Sequence, residues 1–136
     1  MRNIPPSPTP GALTLKTESV FKIAIADVKV REYLSARGWE FSGSDNETEL
    51  DTYEEGKTGR ILYIEDISDD FPVTFLMGQL SLAEFRRIAR YLTPGVKLLE
   101  VGSSWECKPT TIVVAMSEAQ VKKMFGSRTR MKPVGL

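Results

Sequence analysis

The chain has 136 residues, 18 acidic and 18 basic side chains, 41% hydrophobic residues, one cysteine and no histidine. That length and composition fit one globular domain and exclude wholesale disorder. The missing histidine excludes Ser-His-Asp and Cys-His catalysis and ordinary zinc sites, and a single cysteine excludes an intramolecular disulfide.

The zero net charge conceals a sorting by position. Residues 45–70 carry ten acids and two bases, residues 71–136 four acids and ten bases, and residues 1–44 four acids and six bases. A neutral chain with one acidic and one basic lobe can steer a charged partner to one side.

Residues 1–12 contain Pro5, Pro6, Pro8 and Pro10 and read as an extended Pro-rich arm. They show no apolar run of a secretory signal, and no stretch has the length of a membrane span, which points to a cytoplasmic setting. Residues 13–126 then read as one α+β domain and 127–136 as a basic tail. Within the domain, residues 18–37 carry two periods at once. Phe21, Ile23 and Ile25 alternate, while Val20, Ile23, Ala24, Val30 and Leu34 repeat at helical spacing. The spacing and Gly38 predict a helix over 18–37, bent near Asp27, with a strand at 20–26 as the alternative.

A meander follows. Trp39 to Ser42 opens a strand, Gly43 to Asn46 turns the chain, and Glu49 to Glu54 reads as an exposed edge strand. Gly56-Lys57-Thr58-Gly59 is a hairpin loop, Ile61 to Ile64 a central strand and Val73 to Met77 the next. Ser81 with Glu84 makes a capping box for a helix that buries Leu82, Phe85, Ala89 and Leu92 and turns Arg86, Arg87 and Arg90 outward. Val96 to Val101 and Thr110 to Met116 form a second hairpin, with Gly102 to Pro109 between them. Ser117-Glu118 caps a last helix that ends at Gly126. The expected architecture is an antiparallel sheet of about five or six strands, with three helices mainly on one face.

No motif carries chemistry. Gly56-Lys57-Thr58 lacks the upstream glycine of a phosphate loop, whose place Asp51 takes. A calcium loop starting at Asp45 would need Gly and Glu where Leu50 and Gly56 stand. Cys107, between Glu106 and Lys108, has no clear activating partner and reads as an inert thiol. No catalytic residue, metal site or cofactor is assigned.

What remains is surface. Glu47, Glu49, Asp51, Glu54 and Glu55 make an acidic rim. Arg86, Arg87, Arg90, Lys122, Lys123, Arg128 and Arg130 make a candidate basic face, and Trp105, in the second hairpin loop, a candidate interface anchor. These point to a non-enzymatic binding module with a protein partner, such as a small regulator, an inhibitor or an accessory protein of the phage or immunity type. The alternatives are a nucleic-acid binder using the basic helix and tail, and a structural subunit of a larger assembly. The sequence leaves the oligomeric state open.

Overall fold

The computed structural model describes residues 19–47, 50–67, 70–105 and 108–134, with the backbone alone for 103–105 and 108–111. The Pro-rich arm, Glu49 and Cys107 lie outside the described residues. In chain order the elements are β1 (Ser19–Ile23), α1 (Asp27–Ser35), β2 (Trp39–Ser44), β3 (Asp51–Glu55), β4 (Ile61–Asp66), β5 (Thr74–Gly78), α2 (Leu82–Leu92), β6 (Leu98–Trp105), β7 (Lys108–Ala115), α3 (Glu118–Phe125) and β8 (Met131–Pro133). The fold is α+β, with three helices on one mixed sheet of eight strands ordered β2-β3-β4-β5-β1-β7-β6-β8.

The single helix expected over 18–37 is instead a strand followed by a helix. The first five residues alternate across the sheet, with Phe21 and Ile23 buried on one side and Val20 and Lys22 on the other. β1 lies between β5, to which it runs antiparallel, and β7, to which it runs parallel. Two flanking strands satisfy its backbone, and that outweighs the local helical spacing. The helix starts only at Asp27, where Val30 and Leu34 are buried one turn apart. The β1–β7 pair also makes the sheet mixed, against the all-antiparallel expectation.

Three further expectations change. β3 is interior, paired to β2 and β4, so β2 is the true edge. The second hairpin is longer than expected, with β6 running through Trp105 and Trp105 opposite Lys108 across the hairpin. Trp105 is therefore a strand residue and not a loop residue, and its side chain lies outside the described ones. Within the predicted tail, Met131–Pro133 pair with β6 as β8, the opposite edge.

The helices divide between the two faces of the sheet. α1 and α2 cover one face, where Phe21, Ile23, Leu62, Ile64 and Leu76 meet Leu34, Phe85 and Ile88. α3 covers part of the other, where Leu99, Val101, Ile112 and Val114 meet Val121. Three helices mainly on one face is thus corrected to two and one. Strand alternation produces both cores from the same strands, since residues i and i+2 share a face and neighbours oppose it.

Candidate functional site: the arginine-rich helical face

α2 is fixed at both its start and its underside. Ser81 Oγ accepts from the Glu84 backbone N–H at 3.1 Å, and the Glu84 carboxylate accepts from the Ser81 N–H at 3.0 Å. This is the capping box expected from the sequence. Phe85, Ile88 and Ala89 are buried, and Phe85 stacks on Phe21 at 4.3 Å between ring centroids. Leu82, expected inside, is 38% exposed, and Ile88 takes its place in the buried stripe.

With that underside anchored, the arginines emerge on two sides of α2. Arg86 and Arg90 turn toward the β6–β8 edge, where they line a groove of about 420 Å³ with Lys97. Its floor is apolar: Ala89, Val96, Leu98, Pro133 and Val134. No carboxylate is among its lining residues, within the described part of the chain. Arg87 turns the other way, toward α1, into a smaller recess with Tyr33, Arg37 and Trp39 that Glu55 and Glu84 also line.

Beside that recess lies a cluster the sequence reading missed. The Arg37 guanidinium sits 3.5 Å from the Tyr33 ring centroid and 5.5 Å from that of Tyr91, and the two rings are 5.4 Å apart. Arg37 also donates to the Tyr33 carbonyl at 3.2 Å. Tyr91 is 68% exposed, the most exposed of the large hydrophobic side chains. Tyr33 and Arg37 are one helical turn apart, a local signal; Tyr91 comes from α2 and carried none.

The remaining candidate cations do not join this face. α3 packs on the opposite side of the sheet, and Lys122 and Lys123 go with it. Lys122 and Arg130 line a separate depression at the α3–β8 end that also holds Glu100 and Glu118. Glu100 pairs with Lys132 at 3.4 Å. Arg128 is exposed in the turn between them.

The acidic rim occupies the other end of the sheet. β2–β3 and β8 are at opposite edges, so the rim stands roughly 30 Å from β8 at about 4.8 Å per strand, whereas Glu55 reaches the recess that Arg37 and Arg87 line. Much of the rim is engaged internally. Asp51 accepts from Ser44 Oγ at 2.6 Å and pairs with Arg31, and these contacts hold its carboxyl below the usual range. Glu55 is likewise lowered by its hydrogen bond from Thr58 and by Arg60, which lies 2.9 Å away. Glu54 and Glu47 are exposed.

Arg60 ties this end to the helical face. Its two Nη atoms donate to both Glu84 oxygens at 2.7 and 2.8 Å, and its guanidinium lies 5.1 Å from the Trp39 ring centroid. The Arg60 hydrogen bonds, with those from Ser81, hold the Glu84 carboxyl at about 2 against an ordinary 4.5. A depressed carboxylate stabilises the fold fully above its unfolded pKa and loses that contribution as pH falls through the folded one. Stability is therefore expected to decline between about pH 4.5 and 2. Because both partners retain about a quarter of their exposure, the contribution is about 1–2 kcal/mol after solvent screening. Urea titrations at pH 6 and pH 3 should show Glu84→Gln removing that part of the decline. A decline as steep in Glu84→Gln as in wild type would contradict it.

Among the described residues, no three Asp, Glu, Cys or His side chains gather into a metal site, and no helix is long and apolar enough to cross a membrane. Comparison with protein-family models, with curated proteins and with solved structures gives no match.

Proposed function

We propose that the protein is a non-enzymatic binding module that docks an acidic surface of a protein partner on its α1–α2 face. One observation carries the reading: on one side of α2 Arg86, Arg90 and Lys97 line a groove with no carboxylate among the described residues, and on the other Arg37, stacked on Tyr33 and Tyr91, and Arg87 line a recess whose two carboxylates, Glu55 and Glu84, are engaged by Arg60. Arginine and tyrosine are, with tryptophan, the side chains enriched at the energetic centres of interfaces. Here they are also pre-ordered, because the Tyr33–Arg37–Tyr91 stack and the Phe85 anchor reduce the freedom that binding must remove. The acidic rim serves better as an orienting charge than as a contact, since Asp51 and Glu55 are already engaged by Ser44, Thr58, Arg31 and Arg60.

A second reading, nucleic acid on the same face, is favoured by the exposed Tyr91 ring beside arginines, which suits base stacking. The sequence pI near 6.3 and the apolar groove floor weigh toward protein.

Two variants separate the surfaces. The front variant carries Arg37→Glu, Arg87→Glu and Arg90→Glu, and the rim variant Glu47→Lys and Glu54→Lys. All five side chains are exposed or half-exposed, so both variants should fold. In affinity capture from the source cell, wild type and the rim variant should retain the same protein and the front variant should lose it. Loss with the rim variant alone would refute the assignment of the face. Recovery of nucleic acid in place of protein, lost with the front variant, would put the second reading first.

A further inference from the structure

We propose that the groove between α2 and the β6–β8 edge is a peptide-binding site that takes a short acidic segment carrying an apolar side chain. The inference rests on the binding-module reading and names the part of the partner that this face would hold. The groove combines two features that a simple electrostatic patch lacks. Its floor is made by Ala89, Val96, Leu98, Pro133 and Val134, and its rim carries Arg86, Arg90 and Lys97. At about 420 Å³ it lies within the 300–1,000 Å³ typical of ligand clefts. Apolar side chains of the segment would remove floor area from water, and neighbouring carboxylates would meet the rim cations. The Arg90 and Lys97 side chains are exposed and can reorient toward them.

The edge chemistry of β8 decides how the segment lies. The Val134 N–H donates to the Leu98 carbonyl at 3.0 Å, and Leu99 is opposite Pro133. In that antiparallel register Val134 and Lys132 bond inward to β6, while Met131 and Pro133 direct their backbone outward. Pro133 has no N–H to give an added strand, which blocks sheet extension at this edge. Recognition must therefore come from side chains seated in the groove and not from strand addition. The same proline protects the edge against pairing with a second copy.

The test uses the full chain labelled with nitrogen-15 and three capped pentapeptides: Glu-Leu-Glu-Val-Glu, all-glutamate, and Gln-Leu-Gln-Val-Gln. The mixed peptide should shift the amides of Ala89, Leu98 and Val134. It should bind at least tenfold more tightly than either control. Lys97→Glu with Arg90→Glu should cost it at least tenfold, and Val96→Ser should weaken it while leaving the all-glutamate peptide unchanged. Equal binding of the all-glutamate or the neutral peptide would overturn the proposal, as would the absence of groove shifts with all three. Larger groove shifts with an oligo-thymidine strand would also overturn it. If the groove stays silent while the front variant still loses the captured protein, the groove assignment fails and the broader face survives. If that variant keeps its partner, the face itself is wrong.

Discussion

Phe85→Ala is expected to lower the stability of the fold by about 4 kcal/mol. Phe85 is fully buried and lies flat on Phe21, with the rings 16° from parallel. Truncating a buried phenylalanine costs about 3–5 kcal/mol through lost transfer energy and the cavity left behind. The loss of the stacked pair is part of that figure. The site has little room to collapse, since Ile23, Leu76 and Ile88 of the same core are also fully buried. For a domain of this size, each kcal/mol lowers the melting temperature by about 3–5 °C, so a fall of about 12–20 °C is expected. Thermal and urea unfolding followed by circular dichroism measure it. The consequence reaches function, because Phe85 holds α2 and α2 carries Arg86, Arg87, Arg90 and Tyr91. A loss below about 1.5 kcal/mol would mean that this stack does not seat the helix.

Gly78→Ala is expected to cost about 3 kcal/mol or more, although it adds a single methyl group. Gly78 ends β5 between Leu62 on β4 and Ser19 on β1, with φ at 144°. A Cβ there would stand 2.6 Å from the Ile61 carbonyl oxygen and 3.2 Å from the Leu62 Cα. Both are backbone atoms of a neighbouring strand, so no side chain can swing aside. Backbone strain of about 1–3 kcal/mol adds to about 1–3 kcal/mol of overpacking. Gly102→Ala is the control, since a Cβ there meets nothing within 4 Å and should change stability by less than about 0.5 kcal/mol. Equal unfolding midpoints for the two variants would contradict the close approach of β4 to β5.

Where a signal was local, the sequence carried it. Ser81 and Glu84 gave the start of α2, and Ser117 gave the start of α3. Ile61 to Ile64 read as an interior strand because both of its faces are apolar, and β4 is interior. What failed depended on partners far along the chain. Residues 19–23 form a strand because β5 and β7, more than 50 residues away, flank them. The alternation of Phe21, Ile23 and Ile25 supports the strand at 20–26 named as the alternative, but the partners that decide for it leave no local signal, and the helical spacing of Val30 and Leu34 extends backward over it. Met131–Pro133 looked like a basic tail because a three-residue edge strand leaves almost no periodicity and Lys132 is exposed.

The site followed the same rule. Arg86, Arg87 and Arg90 were legible as the outward side of an amphipathic helix, but not their division between two sides of α2. The basic face expected to include Lys122 and Lys123 is split by the sheet, because α3 docks on the other core. Tyr33 and Arg37 reach Tyr91 only through the packing of α1 against α2. The charge sorting seen along the chain survives folding in a different form. It becomes two opposite edges of one sheet, the acidic one largely engaged with its own arginines and the basic one flanking an open groove.

The central claim is that the α1–α2 face, and not the acidic rim, docks the partner. Its most direct test is titration of the purified captured protein against wild type, the front variant and the rim variant at 50 and 200 mM salt. The account predicts that the front variant binds at least about 100-fold more weakly, equivalent to about 2.7 kcal/mol, that the rim variant stays within about threefold of wild type, and that wild-type affinity falls with salt. A front variant within about threefold of wild type, with a tenfold loss in the rim variant, would contradict it.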